Sequence, residues 1–365
     1  MRIASVMLYN QLARSLNDNL TDLIEKNNRL ASGKKISKPS ENVLGTIKAM
    51  DYKLSIDRND QYQTNLSQAN TFLDYNDKIL GQVSNTLGSL KELIYSGGLS
   101  SGTAEDRATY ARQAESLRDY LLDLSNSKFN NRYIFSGFQS DQKAYEYDSV
   151  NHVYAYQGDS GQLKLPIDNT MVQTINFVGS SPDSSISTTF SYSVPVPETI
   201  TLSDGSVVTY SAALVQPANA TTIQVEITHP DHPGDPDYED SFTFSNVMDV
   251  ANLMSQAWQY QDVDGSVLSE SKSMNRLQAL SHPLDKAGKQ LLSVQAESGI
   301  RQVHLKDQES RLKSGTLSLQ NALTQTEDAD MNETAIEITK ITTTLEALRM
   351  SASNILAQSL FDFLF

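Results

Sequence analysis

The chain has 365 residues, 29 Lys and Arg against 44 Asp and Glu, and a formal net charge of −15. That balance argues against nucleic acid, whose phosphates need clustered cations, and against anionic membrane surfaces. No cysteine is present, which removes disulfides, thiolate metal sites and cysteine nucleophiles. No run of about 18 apolar residues occurs, so no membrane span is expected. MRIASVMLYNQLARSLNDNL has neither the continuous apolar core nor the cleavage-type ending of a secretory signal.

The first predicted element is a helix. Val6, Tyr9, Ala13, Leu16, Leu20, Leu23, Asn27 and Leu30 alternate three and four residues apart, the seam of a helix lying along another. Asn10, Asn17, Asn19, Asn27 and Asn28 crowd it, and their amides compete for backbone hydrogen bonds, so the helix is marginal alone. Asn27 at a seam position is expected to be buried, fixing register at a cost in stability. Lys34, Lys35 and the turn at Pro39 end this helix. A second should begin near Ser40, a good N-cap, and run far. Tyr62, Leu66, Ala69, Leu73, Asn76, Leu80, Val83, Leu87, Leu90 and Ile94 keep the same alternation until Gly97 and Gly98 break it. Thr103 with Asp106 then forms a capping box for a third helix with the seam Tyr110, Ala114, Leu117, Leu121 and Leu124. A loop that short makes the two helices antiparallel.

From about residue 140 to 245 the texture is strand and turn. Ala144 to Tyr156 reads as a hairpin around Asp148-Ser149-Val150-Asn151. Thr199 to Tyr210 reads as another, with Asp204-Gly205 suited to a type I′ turn. Thr221 to Thr228 is a third strand candidate, and HPDHPGDPDYED is a loop. Asn246 and Asp249 are placed to cap a short helix through Trp258. Helical periodicity resumes at about Ser271. Leu277, Leu280, Leu284, Ala287, Leu291, Val294, Leu305, Leu312 and Leu319 share one frame, interrupted by Ser298, Arg301, Gln308 and Gly315. A seam that weak suits a helix inside a bundle. Finally Met331, Thr334, Ile338, Ile341, Leu345, Leu348, Ala352 and Ile355 repeat the N-terminal spacing, ahead of the apolar ending Ser359 to Phe365. A chain that opens and closes on matching seams should pair its two ends.

Chemistry-bearing patterns are sparse. His229, His232, Asp235, Asp237, Glu239 and Asp240 lie among prolines without helical ligand spacing, and read as a solvated acidic loop. Asp262-Val263-Asp264-Gly265 starts like a calcium loop but lacks the later ligands. Phosphate-binding, dinucleotide, serine-hydrolase and zinc-protease motifs are absent. Neither catalysis, a cofactor nor a metal is expected.

Three stretches carry a family resemblance: Arg2-Ile3 and Met7 to Asn10 followed by Leu30-Ala31-Ser32-Gly33-Lys34-Lys35-Ile36-Ser37-Lys38-Pro39-Ser40-Glu41-Asn42; Tyr62 to Asp74; and Asn131-Arg132-Tyr133-Ile134-Phe135-Ser136-Gly137. In order and spacing they resemble the bacterial flagellin superfamily. Lys38-Pro39-Ser40 and the Arg132, Tyr133, Phe135, Gly137 signature favour its hook–filament junction branch over the filament flagellins, which are the alternative. Glu41-Asn42 departs from the commoner double aspartate. The resemblance implies an α+β chain whose N- and C-terminal segments form a long antiparallel helical bundle and coiled coil around an inserted β-rich outer domain. It divides the sequence into an inner assembly domain (1–38 with 330–365), a helical bundle (39–140 with 265–329) and a surface insertion (141–264). It further implies self-assembly into a ring or short stack between the first hook-associated protein and flagellin, outside the cell. Export through the flagellar type III channel, with a chaperone on the C-terminal helices, belongs to the same expectation. Val6, Tyr9, Leu16, Leu20, Leu23, Asn27, Leu30, Ile338, Ile341, Leu345, Leu348 and Ile355 are the expected assembly interface. An enzyme on a helical stalk would need a convergent polar site in the middle segment, and none is readable; an adhesin role for 180–245 could coexist with the junction role.

Overall fold

Heptad spacing becomes helix wherever the sequence sustains it. A computed structural model describes residues 2–97, 102–181, 188–192, 198–213 and 222–364, apart from the side chains of 2–6, 8, 9, 212, 213 and 355–364. Among these residues the helices are α1 (Arg2–Ser32), α2 (Val43–Gly97), α3 (Ala104–Ser125), α4 (Val247–Trp258), α5 (Glu270–Glu327) and α6 (Met331–Leu364). Two compact units result: Met1–Gln61 with Ser310–Phe365, and Tyr62–Glu309, with α2 and α5 contributing to both. No described helix is long and apolar enough to cross a membrane.

In the larger unit, Leu66, Ala69, Leu73, Leu80, Val83, Leu87, Leu90 and Ile94 of α2 are buried, as are Leu277, Leu280, Leu284, Leu291, Val294 and Leu305 of α5. The two run antiparallel: Lys91 pairs with Asp285, and the Gln302 amide donates to Asp74 at 3.1 Å. The polar breaks in the α5 seam have a use. Arg301 donates to the Asn176 carbonyl at 2.9 Å and lies over the Phe177 ring, while Gln308 donates to Asp168 at 2.9 Å. Those positions dock the β-rich insertion. The Thr103–Asp106 capping box opens α3 as expected, and Phe129, just beyond its end, meets Phe72 and Tyr75 of α2.

The insertion begins with a hairpin that was not anticipated, β1 (Lys128–Phe129) and β2 (Arg132–Tyr133). Its turn residues Asn130 and Asn131 both have positive φ, 49° and 65°, the signature of a two-residue type I′ turn. β3 (Tyr145–Asp148) pairs with β4 (Val153–Tyr156) as expected, and β5 (Lys164–Pro166) with β6 (Val172–Thr174). A four-stranded antiparallel sheet of β7 (Glu198–Thr201), β8 (Val207–Ala213), β9 (Thr222–Thr228) and β10 (Asp240–Phe244) has the order β10-β9-β8-β7. Its inward face is Val208, Tyr210, Ile223, Val225, Ile227, Phe242 and Phe244, every second residue along each strand. The β7–β8 turn corrects the type I′ expectation. Only Gly205 has positive φ there, at 93°, and its N–H donates to Leu202. That is the three-residue loop in which a tight turn is followed by a left-handed glycine.

Two charged groups lock this unit together. Arg276 of α5 is fully buried and makes paired hydrogen bonds to Asp240, at 2.7 and 2.8 Å, and a further one to Asp262 at 2.9 Å. Asp249, in the first turn of α4, accepts from the Tyr154 and Ser245 N–H groups at 2.7 and 2.8 Å. Burial pushes its carboxyl from 3.8 up to about 7. Between those two values the folded chain holds a proton that the unfolded chain has released, so stability falls as pH rises through this window. Measured by chemical denaturation, the wild-type chain should lose a few kcal/mol relative to Asp249→Asn between pH 4 and pH 7, and the difference should level off above that. Arg276→Ala should cost about 3–5 kcal/mol, because it strands the buried Asp240 carboxylate, whereas Arg311→Ala, exposed on α5, should cost far less in the same assay.

Candidate assembly interface

The pairing of the chain's ends starts from the turn between α5 and α6. The Lys35 N–H donates to the Glu327 carbonyl at 2.6 Å, and the Ala329 N–H to the Gly33 carbonyl at 2.9 Å. Lys34 reaches Asp328 at 2.6 Å, which raises the lysine's pKa and lowers the aspartate's. Lys53 of α2 pairs with Glu327 at 2.7 Å. From this knot α1 and α6 run antiparallel, with Lys26 on Glu337 at 2.6 Å. The linker carrying Lys38, Pro39 and Ser40 is exposed. It is held by Glu41, whose carboxylate accepts from the Ser37 N–H and hydroxyl and is thereby kept below its usual range. The N-cap of α2 is Asn42, which accepts from the Gly45 N–H at 2.8 Å, not Ser40.

On α6 the inward face is Thr334, Ile338, Ile341, Leu345, Leu348 and Ala352, with Leu345 only 4% exposed. On α1 the half-buried face is Leu12, Leu16, Asn19, Leu23, Lys26 and Leu30. Leu16, Leu23 and Leu30 therefore face α6, whereas Leu20 is 39% exposed and Asn27 is exposed. Within the chain Asn27 does not face α6. Leu16, Leu23 and Leu30 fit two overlapping frames. The chosen one turns Lys26 toward Glu337 and Asn19 inward, where its amide is satisfied by the Ser15 carbonyl at 2.7 Å. The side chains of Val6, Tyr9 and Ile355 lie outside the described residues.

What this unit leaves uncovered is more telling than what it buries. Among the described side chains of Met1–Gln61 and Ser310–Phe365, the buried apolar ones are Ala49, Leu312 and Leu345. Twelve large apolar side chains are exposed there. They include Met7 and Ile24 on α1, Ile336 and Met350 on α6, and Val43, Leu44, Ile47, Met50 and Leu54 on α2. Val43, Ile47, Met50 and Leu54 are again spaced four, three and four apart, a seam without a partner among the described residues.

The signature residues of the other unit are structural. Phe135 is buried edge-on to Phe190, with ring centroids 5.1 Å apart. Gly137 has φ +68°, and a Cβ there would lie 2.1 Å from Asp159 Oδ1. Tyr133 is half-buried and Arg132 exposed. The acidic loop residues are engaged locally. His232 stacks on Tyr238, His229 Nδ1 accepts from the Asp231 N–H, Glu239 accepts from the Gly234 N–H, and Asp240 and Asp262 hold Arg276. Among the described residues no group of three or more His, Cys, Asp or Glu is arranged to hold a metal ion.

Residues 3–140 match the bacterial flagellin N-terminal helical region. Over that stretch the chain is similar to the flagellin family, and over about half of its length it is similar to flagellar hook-associated protein 3. That protein from Salmonella typhimurium is 24% identical over 199 residues, covering 54% of this chain and 61% of the relative. Its Escherichia coli counterpart is 24% identical over 180 residues, covering 49% and 56%. The chain thus spans less than two thirds of the curated relatives it matches. A crystal structure of flagellar hook-associated protein 3 from Legionella pneumophila has the same fold, with a TM-score of 0.54 at 21% identity, covering 75% of this chain and 97% of that one.

A unit with so small a core should open locally at little cost. In the isolated monomer, amides of α1 and α6 should exchange with solvent much faster than those of Leu66 to Ile94. Equal protection of both regions, read by hydrogen-exchange mass spectrometry, would contradict this account of the unit.

Proposed function

We propose that the chain is a structural subunit of the bacterial flagellum that joins hook to filament, its terminal helices completing their packing against neighbouring subunits. The observation that carries this reading is the terminal unit's twelve exposed large apolar groups beside three buried ones. Covering such seams with other copies would offset the ordering cost of roughly 1–2 kcal/mol per residue for the backbone. In this reading residues 1–38 with 330–365 form the assembly domain. Copies stack as a ring or short helix between the first hook-associated protein and flagellin, and the role requires no catalysis. A chain whose ends order last also suits passage through the flagellar type III channel with a chaperone on the C-terminal helices. The named relatives support the junction over filament flagellin itself.

Deletion of the gene should leave hooks intact while flagellin is shed into the medium, and the wild-type gene should restore filaments. Leu345→Pro should fail to restore them, because proline breaks α6 at its most buried apolar residue, while near-ultraviolet circular dichroism of the larger unit stays unchanged. Normal filaments in that variant would count against the reading. Purified protein growing unaided into micrometre filaments would favour a flagellin instead.

A further inference from the structure

An open groove on the larger unit, about 540 Å³ in volume, is lined by Phe72 of α2, Phe129, Tyr133, Leu163, Leu165 and Ile175. Pockets of roughly 300–1,000 Å³ are large enough to bury ligand-sized apolar groups. Two cations stand at this one. Arg132 lines it and is exposed, and Lys128 Nζ lies 4.4 Å from the Tyr133 ring centroid. Polar side chains, Gln68 and Asn130 among them, line it too. On a chain of net charge −15, a groove of mixed walls with a cationic rim selects an acidic segment that also offers large apolar side chains.

The chain carries such a segment at the tip of the β3–β4 hairpin. Val150 is 83% exposed and Tyr147 43%, between the carboxylates of Glu146 and Asp148. The Asn151 amide and the Val150 N–H hold Asp148 below its ordinary range, so it is fully charged at neutral pH. None of these residues lines the groove of its own chain. We propose that the groove receives the acidic β3–β4 hairpin tip of a second copy of this chain. The contact joins two different surfaces head to tail, which is the kind that propagates around a ring. It deepens the assembly reading and rests on it for bringing copies together.

Charge exchange in the full-length protein tests this. Arg132→Glu and Glu146→Arg should each weaken association of copies by about tenfold, read by sedimentation velocity. The two together on one chain should restore most of it, since each new glutamate then meets a new arginine. Glu146→Gln should give a smaller loss, and unchanged far-ultraviolet circular dichroism should show that the variants are folded. Association untouched by either reversal would overturn the groove contact while leaving the junction role standing. Rescue of Arg132→Glu by Asp264→Lys instead of Glu146→Arg would assign the groove to the other acidic turn and overturn it too. Wild-type copies that never associate would overturn both this contact and the ring-forming role.

Discussion

The larger unit depends on burying two apolar rows carried by antiparallel helices, α2 and α5. Leucines from Leu66 to Leu90 on the one and from Leu277 to Leu305 on the other are nearly all without solvent exposure, and Lys91–Asp285 and Gln302–Asp74 tie the two helices side by side. Each such buried side chain contributes about 1.5–3 kcal/mol relative to an exposed one, and the rows are broken by the polar Asn76 on α2 and by Ser298 and Arg301 on α5. The β-rich insertion has no helix of that length and is built onto the seam's edges. Asn65 reaches the Pro166 carbonyl, Gln308 reaches Asp168, and Arg301 reaches Asn176. The polar interruptions that weaken the seam as a coiled coil are the points where a third element attaches.

The surplus of carboxylates follows the same economy of local use. Asp106 closes the Thr103 capping box, Asp249 accepts from the Tyr154 and Ser245 N–H groups, Asp148 and Asp204 brace turns, and Glu41 ties down the linker before α2. Asp240 and Asp262, separated in sequence by a strand and a helix, converge on the buried guanidinium of Arg276. The last carboxylate of the acidic loop, Asp240, is therefore already paired with a residue on α5. Nothing in the loop's own composition announces that partner, because the pairing joins elements far apart in the chain.

Periodicity made the long helices legible, along with the Thr103 capping box, the β3–β4 hairpin and the short helix capped by Asn246. Where the code was degenerate it misled. Leu16, Leu23 and Leu30 fit two frames on α1, and the fold turns Asn19 inward and Asn27 outward, with Lys26 meeting Glu337. Asn130-Asn131 lacks the glycine that usually marks a type I′ turn, while Asp204-Gly205 has it and adopts another geometry. β10 went unread because its alternation, Phe242 and Phe244 between polar residues, spans only five positions beside a proline-rich loop. The groove at Phe72 was invisible for a plainer reason: its walls come from α2, β2, β5 and residues near β6, which share no sequence pattern.

The two units differ in the kind of stability they have. The larger one contains a complete core, a buried ion pair and a sheet whose inward face is fully covered. The terminal one has long amphipathic helices, surface ion pairs such as Lys26–Glu337 that are each worth little in water, and apolar rows facing outward. A helix pair of that sort gains order chiefly by covering its remaining faces, because propensity alone cannot hold an asparagine-rich α1. The exposed Val43, Ile47, Met50 and Leu54 row on α2 extends the same argument beyond the chain ends. It repeats the spacing of the α1–α6 seam but is left uncovered among the described residues. Under the proposed junction role, folding of the terminal unit and association of copies are two parts of one equilibrium, and the apolar area left open by the first step is what would drive the second.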